Sequence, residues 1–316
     1  MTTIAPAALP PAVTPPEDPA GQIMRKSQEN KIKPGLLGLS MPAIVWYIIF
    51  TIGPLFAMFY IALLSWSSLI APSTFVGFKN FGTVFHDPVF WQATRNSIVQ
   101  IAIVLPIMLP LAFMLGYYVS LKPRGHRVLR VILFTPALIS LAAKSIIFLS
   151  IFAPTGLLNG FLDNVGLGAL STPWLASQST ALGTVMAVDL WSGIGFTAIL
   201  FSARLSSIPA EVFEASELDG AGHWRRMWGI AYPICRDYFG VLLMLQFIWV
   251  LFGSAGSILL LTNGGPGSSS TTLSFLVYDK AFTQSQIGYS QAVGVILFAV
   301  GIVGMIAIRR VFRAKY

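Results

Sequence analysis

The sequence predicts an all-α membrane protein, and its composition, its apolar runs and the placement of its basic residues lead to that prediction. Of 316 residues, 55% are hydrophobic and only 10% are charged, with a mean hydropathy of +0.74. A water-soluble domain is far less apolar than this. The apolar residues form runs that reach the ~20 residues a helix needs to cross a bilayer. We therefore interpret the chain as a multi-pass protein surrounded by lipid.

Six segments are predicted to span the bilayer. The proline-rich stretch 1–35 has no apolar run long enough for a signal-peptide core, so we expect a disordered cytoplasmic tail there and a transmembrane domain over 36–316. A membrane helix tolerates internal proline, which allows Pro106 and Pro110 in span two. The approximate spans are 36–66, 96–121, 128–152, 181–203, 239–261 and 288–308, and a cytoplasmic segment at 204–236 joins spans four and five.

The basic residues predict the orientation of these spans. Sixteen of the 20 Lys and Arg residues fall in the two terminal tails and in the links after spans two and four, counting Arg130 at the start of span three with the link before it. Cytoplasmic loops carry such an excess of basic residues. Both termini and the segment 204–236 are therefore predicted to be cytoplasmic. The clusters also account for the net charge of +8, so nucleic acid is not expected as a partner.

Several kinds of site are not expected from the composition. Cys235 is the one cysteine of the chain, and His86, His126 and His223 form no pair at helical spacing, so no metal site is predicted. No catalytic residue is predicted. The sequence also lacks the Gly-x-x-x-x-Gly-Lys-Ser/Thr loop with which a chain binds nucleotide phosphates.

The polar segment 204–236 is long enough to contain its own helices. Ser206 or Ser207 is predicted to cap a helix with Pro209 in its first turn, and Gly220 to stop it. By periodicity alone this pattern fits equally an ordinary surface helix packed on its own bundle.

The same segment carries a motif at a specific spacing. Glu214-Ala215-Ser216, Gly220, Ile230 and Pro233 stand at the positions of Glu-Ala-Ala, three residues, Gly, nine residues, Ile, one residue, Leu-Pro. On these residues the chain resembles the permease subunits of ATP-driven importers of the ABC class. Ser216 replaces the second Ala of the motif, and Tyr232 replaces its Leu. The carbohydrate-importing, maltose-type branch is indicated by two further stretches, Val76-Gly77-Phe78-Lys79-Asn80-Phe81 and Leu261-Thr262-Asn263-Gly264-Gly265-Pro266.

The resemblance implies that the segment holds a coupling helix, which sits in a groove of a cytoplasmic ATPase subunit. Glu214 would be its polar anchor, and Asp219 would organise the turn at Gly220. ATP and Mg would be bound by the ATPase subunits, with no cofactor on this chain, which would be a moving subunit and not an enzyme. The implied ATPase-coupling residues are Glu214, Ala215, Ser216, Asp219, Gly220 and Pro233.

The resemblance also implies an assembly in a bacterial or archaeal plasma membrane. Its members would be this chain, a homologous second permease subunit, two cytoplasmic ATPase subunits or domains, and an extracytoplasmic solute-binding protein. This chain would form half of the translocation path for a sugar or oligosaccharide.

Two charged residues inside predicted spans, Lys144 and Asp189, mark a candidate substrate path. A charge at the bilayer centre costs roughly 2.5 to 3.5 kcal/mol, so each is a functional hypothesis, although the two could simply neutralise each other. In maltose-type permeases the matching parts of spans four and five line the sugar site, and aromatic faces there stack on sugar rings. The implied substrate-path residues are Lys144, Asp189, Trp191, Ser192, Gly193, Phe196, Trp249, Phe252, Gly253 and Ser254.

The solute is left open by the sequence. Lys144 fits an anionic solute such as glycerol phosphate, whereas Asp189 with Trp191 and Trp249 fits a neutral oligosaccharide, which we favour. A membrane-embedded enzyme that modifies lipid, with Lys144 and Asp189 as an acid–base pair, is a more distant alternative because no cluster of interfacial His, Asp or Arg supports it. A secondary carrier would show inverted repeats, and we find none in the sequence.

Overall fold

The computed structural model describes residues 34–67 and 70–312, with side chains described from Ser40 onward. The tail predicted at 1–35 thus lies almost entirely outside the described residues. Two compact units are distinguished, 1–56 and 57–316. The described part of the first unit begins with helix α1 (Pro34–Tyr47), continues through a π-helical turn at Ile48–Ile52 and enters the next helix at Gly53.

The described chain is almost entirely helical. A short antiparallel pair, β1 (Leu64–Ser65) and β2 (Thr74–Phe75), sets Leu64 opposite Phe75. Further π-helical turns lie at Met227–Ala231, Trp249–Gly253 and Asp279–Thr283, and a 3₁₀ turn lies at Gly168–Leu170. The remaining helices are α2 (Gly53–Ile61), α3 (Lys79–His86), α4 (Pro88–Ser120), α5 (His126–Leu138), α6 (Leu141–Ile151), α7 (Leu157–Asn164), α8 (Ala181–Leu205), α9 (Ala210–Leu218), α10 (His223–Arg226), α11 (Tyr232–Ile234), α12 (Arg236–Ile248), α13 (Ser254–Leu261), α14 (Leu273–Tyr278) and α15 (Ile287–Phe312).

Within residues 34–67 and 70–312, five helical stretches are long and apolar enough to cross a membrane, and a sixth results if α5 and α6 are one bent span. The all-α membrane class predicted from composition is confirmed by this architecture. The five stretches are Ser40–Ile61, Pro88–Ser120, Ala181–Leu205, Arg236–Leu261 and Ile287–Phe312.

Predicted span three, about 128–152, is divided in the structure. Helices α5 and α6 meet at an angle of 97°. Pro136 removes a backbone donor near the end of α5, and Ile139 is extended. Ser140 then starts a new helix, because its hydroxyl accepts a hydrogen bond from the Ala143 amide at 3.3 Å.

Other helix starts also differ from the predicted positions. Helix α4 begins at Pro88, ahead of the predicted start near residue 96, because the Asp87 carboxylate caps it by accepting a bond from the Val89 amide at 2.8 Å. The predicted cap of the cytoplasmic helix at Ser206 or Ser207 was wrong. Pro209, whose side chain cannot form a hydrogen bond, occupies the cap position of α9. The Ser206 hydroxyl instead donates to the Ser202 carbonyl at the end of α8.

Close helix packing builds the core around α8. A Cβ at Gly116 of α4 would lie 2.6 Å from the Ala198 carbonyl oxygen, so glycine is needed for this approach. A Cβ at Gly195 of α8 would overlap the Leu133 carbonyl of α5. Helix α8 is therefore packed closely against both α4 and α5, and the residues along it are held in a defined orientation.

Candidate functional site

A cavity of about 660 Å³ lies among α5, α6, α8 and the continuous helical stretch formed by α12 and α13. This volume is within the range of small-molecule sites. Its wall is mostly apolar, and part of it is the bend between α5 and α6. Eight of the ten predicted substrate-path residues line it: Lys144, Asp189, Ser192, Gly193, Phe196, Trp249, Gly253 and Ser254.

The helical periodicity of α8 explains its contribution. Asp189, Ser192, Gly193 and Phe196 are spaced three and four residues apart and so share one face of the helix. Trp191 lies on another face, and its ring packs edge-on against Phe148 with centroids 5.1 Å apart. Trp191 does not line the cavity, and its place in the substrate path stays a prediction.

Phe252 is the second predicted residue outside the cavity wall. It falls in the π-helical turn Trp249–Gly253, where the wider turn changes the register of the helix faces. Its ring is directed to α15, since a Cβ at Gly301 would lie 3.0 Å from the ring. Trp249, by contrast, lines the cavity and remains 68% exposed.

Asp189 is held by two neutral donors from other helices. Its Oδ1 accepts a hydrogen bond from the Ser257 hydroxyl at 2.7 Å, and its Oδ2 accepts one from Gln100 Nε2 at 3.2 Å. Gln100 and Ser257 are themselves buried. The carboxylate is thus oriented by the protein, and it retains acceptor capacity on the side of the cavity.

Lys144 also lines the cavity and is half-buried. Among residues 34–67 and 70–312, the ion pairs within 4.0 Å are Arg226–Glu217 and Lys280–Asp87. A direct Lys144–Asp189 pair, which the sequence left open, is therefore not formed in the described structure. The cavity presents a cationic donor and an anionic acceptor at separate positions.

Sequence reasoning missed the polar residues that support the cavity. Gln100 and Ser257 hold Asp189, and Gln246, which lines the wall, donates to the Thr197 hydroxyl at 2.7 Å. A signal was present, because buried amides within apolar spans are costly unless paired. The pairing itself could not be read from helices distant in sequence.

The predicted coupling residues lie in the second half of α9 and the turn after it, except Pro233, which lies in α11. Helix α9 ends in a Schellman motif, in which the Ala221 amide donates to the Ser216 carbonyl at 2.9 Å and the Gly220 amide to the Glu217 carbonyl at 3.0 Å. Gly220 has φ of +74°, which favours glycine. Ser216 is buried, and the exposed predicted residues are Glu214, Ala215, Asp219, Gly220 and Pro233.

Apolar side chains extend the exposed surface beside this turn. Leu218 is 91% exposed and Trp224 is 65% exposed. Ser216 instead donates its hydroxyl to the Phe213 carbonyl at 2.7 Å, and Tyr232 packs on Phe113 with ring centroids 6.0 Å apart. Both departures from the family motif therefore face inward.

The membrane-length helices and the mostly apolar cavity among them, with Lys144 and Asp189 in its wall, define a multi-pass membrane protein of the transport-permease class. The chain belongs to the family described as binding-protein-dependent transport system inner membrane component, whose model matches residues 108–315. The resemblance drawn from the Glu214 to Pro233 motif is thereby confirmed, and the chain is a plasma-membrane permease of the binding-protein-dependent type.

Individual relatives agree with this assignment. The chain is 34% identical over 277 residues to the probable ABC transporter permease protein YurN of Bacillus subtilis (strain 168), covering 86% of this chain and 93% of the relative. It is 31% identical over 297 residues to the diacetylchitobiose uptake system permease protein NgcF of Streptomyces coelicolor, covering 88% and 82%. These relatives are transport permeases and not enzymes.

The fold is also that of a solved transporter. A chain in the crystal structure of a bacterial ABC transporter involved in the import of the acidic polysaccharide alginate superposes with a TM-score of 0.78 at 21% identity. The superposition covers 92% of this chain and 98% of the alginate transporter chain.

Proposed function

We propose that this chain is one permease half of an ATP-driven importer that moves a sugar or oligosaccharide across the plasma membrane. The observation that carries the proposal is the cavity in which Asp189, held by Gln100 and Ser257, lies on the same wall as the exposed ring of Trp249. An oriented carboxylate accepts hydrogen bonds from sugar hydroxyls, and an aromatic face stacks on the apolar side of a sugar ring.

The separation of charges supports a hydroxylated solute. The Lys144 ammonium can donate hydrogen bonds and the Asp189 carboxylate can accept them. Among the described residues, neither group takes part in an ion pair within 4.0 Å. Hydroxyl groups both donate and accept hydrogen bonds, so one polyol can satisfy both residues. The name of NgcF, a diacetylchitobiose uptake permease, adds support for an oligosaccharide.

We assign the coupling role to α9 and the turn at Gly220. Glu214 and Asp219 are exposed there beside the apolar surfaces of Leu218 and Trp224, which suits a protein groove. The groove would belong to one of two cytoplasmic ATPase subunits that hold ATP and Mg. The excess of Lys and Arg in the two terminal tails and in the links after predicted spans two and four supports a cytoplasmic location for α9 and both termini.

Two further partners complete the proposed assembly. A homologous second permease would close the other side of the translocation path, and an extracytoplasmic binding protein would deliver the solute. The family description, binding-protein-dependent transport, supports the latter.

Reconstitution of the chain with these partners in liposomes tests the proposal. Uptake should require ATP and the binding protein. Trp249→Ala should lower uptake about tenfold or more because a stacking surface is lost, whereas Trp191→Ala, on the same wall-forming helix as Asp189 but outside the cavity, should retain most of it.

Two results would contradict this assignment. Transport by the isolated chain without ATP would favour a secondary carrier, and catalytic turnover of lipid would favour an enzyme. A panel of neutral oligosaccharides and glycerol phosphate separates the solute classes, because preference for the anion with dependence on Lys144 would replace the sugar assignment.

A further inference from the structure

The segment between α8 and α12 packs against α4, a helix that is not its neighbour in sequence. Tyr117 of α4 packs edge-on against Phe213 of α9, with ring centroids 6.3 Å apart. One turn earlier on α4, Phe113 packs against Trp228, with centroids 5.4 Å apart. Trp228 belongs to the return segment, which we define as residues 223–231. Residues four apart share a helix face, so α9 and the return segment are seated side by side on one face of α4.

An ion pair ties these two seated elements together. Arg226 Nη1 of the return segment lies 3.2 Å from Glu217 Oε2 in the last turn of α9. The Arg226 side chain is only 9% exposed, whereas Glu217 is 69% exposed. The other terminal nitrogen of Arg226 is 3.4 Å from His223 Nδ1. A buried guanidinium requires an anionic partner to offset its desolvation, and Glu217 supplies it.

The same helix α4 reaches the cavity. Met108, one turn and a residue before Phe113, lines the cavity wall, and Gln100 donates to Asp189. Helix α4 is continuous from Pro88 to Ser120, so its two ends belong to one element. The packed contacts thus run from α9 through Tyr117 and Phe113 to the hydrogen bond on Asp189.

We infer that the Arg226–Glu217 pair makes α9 and the return segment a single rigid wedge, which transmits movement of the coupling helix to α4 and through it to the cavity. Arg226 and Glu217 are positioning residues in this inference. It rests on the proposed function, because α9 must be the element that the ATPase moves.

The experiment compares variants of this pair in the complete transporter, reconstituted in liposomes with its partner subunits. The readout is solute uptake per ATP hydrolysed, at equal amounts of assembled transporter. Glu217→Gln and Arg226→Met should each lower this ratio about two- to tenfold, the range expected for residues that carry coupling. Arg225→Met is the matched control, because Arg225 is the exposed neighbour of Arg226 and should leave the ratio unchanged.

Restoration of the pair sharpens the test. The double variant Glu217→Arg with Arg226→Glu should recover part of the lost ratio. Glu217→Gln alters an exposed side chain and is expected to fold. If Arg226→Met reduces assembly, the uptake ratio of Glu217→Gln alone tests the inference. A ratio for Glu217→Gln equal to that of Arg225→Met would overturn the inference and leave Arg226 a purely structural residue.

A cross-linking measurement separates this inference from the function on which it rests. Leu218→Cys, at the most exposed apolar position of α9, should cross-link to the ATPase subunit in an otherwise unaltered chain. Absence of the cross-link would contradict the docking of α9. A cross-link together with an unaffected Glu217→Gln ratio would contradict only the rigid wedge.

Discussion

Asp87 and Asp189 are both partly buried carboxylates next to membrane helices, but their partners differ. Asp87 caps α4, accepts a hydrogen bond from the Tyr289 hydroxyl at 2.7 Å and lies 3.6 Å from the Lys280 ammonium. Lys280 also sits over the Tyr289 ring, 4.8 Å from its centroid. Among residues 34–67 and 70–312, the hydrogen bonds to the Asp189 carboxylate come from the neutral donors Gln100 and Ser257.

The difference separates a structural carboxylate from one available to a ligand. The partners of Asp87 offset its charge and join α4 to α15, so the interactions of Asp87 stabilise the folded protein. The donors to Asp189 orient the carboxylate without neutralising it, and it faces a cavity. A charged side chain inside a membrane span is costly, and function is the usual reason for keeping it.

The largest expected effect is a contrast between Asp189→Asn, which should impair uptake, and Asp87→Asn, which should impair stability. Asp189→Asn should lower uptake about tenfold or more, because hydrogen bonds to a charged acceptor contribute about 1.5 to 3 kcal/mol. Asp87→Asn should leave uptake per assembled transporter close to wild type while lowering the midpoint of thermal unfolding in detergent. Similar uptake losses at equal assembly would remove the distinction between the two sites.

Weakening the orientation of Asp189 should have an intermediate effect. Ser257→Ala removes one donor and should raise the solute concentration for half-maximal uptake about fivefold, since a hydrogen bond contributes about 1 kcal/mol. Ser145→Ala is the control, because the buried Ser145 hydroxyl bonds only to the Leu141 carbonyl of its own helix. Equal behaviour of the two variants would show that orientation of Asp189 is unimportant.

The pH dependence of stability should distinguish the Asp87 site. Burial raises the pKa of the Asp87 carboxyl, but the bonds from Tyr289 and the Val89 amide and the charge of Lys280 lower it by more, so the net pKa is below its usual 3.8. A lowered folded-state pKa stabilises the protein above the unfolded-state pKa, and this contribution is lost as pH falls through the folded-state value.

Asp87→Asn keeps a good helix cap and removes the titrating group. The gap in unfolding midpoint between wild type and this variant should be constant above about pH 5 and shrink below about pH 4. A gap that stays constant down to about pH 3 would argue against an ionised Asp87 in the folded state.

The smallest effect is expected where the chain departs from its family motif. Ser216→Ala restores the family residue, but Ser216 is buried and bonds to its own helix, away from the exposed surface of α9. ATP-coupled uptake should therefore change by less than about twofold, equivalent to less than about 0.5 kcal/mol. A larger change would place Ser216 in the contact with the ATPase subunit.

Much of this protein follows from local patterns. The membrane class, the motif from Glu214 to Pro233 and the helix face shared by Asp189, Ser192 and Gly193 depend on residues close together in the chain. Closeness in sequence does not by itself bring residues to one cavity, since Trp191, two residues from Asp189, lies on a different helix face. The π-helical turn that redirects Phe252 has no comparable signal in local periodicity.

The sequence by itself determined that this is a helical membrane permease with the family motif at Glu214 to Pro233 and charged residues in its spans, because hydropathy and motif spacing are properties of the linear chain. Only the tertiary structure decided which side chains meet the carboxylates of Asp87 and Asp189. The partners of Asp189 are 89 and 68 residues away, and Tyr289 is 202 residues from Asp87. Such pairs depend on how whole helices pack and bend, including the 97° break that forms part of the cavity wall, and local sequence patterns do not specify that packing.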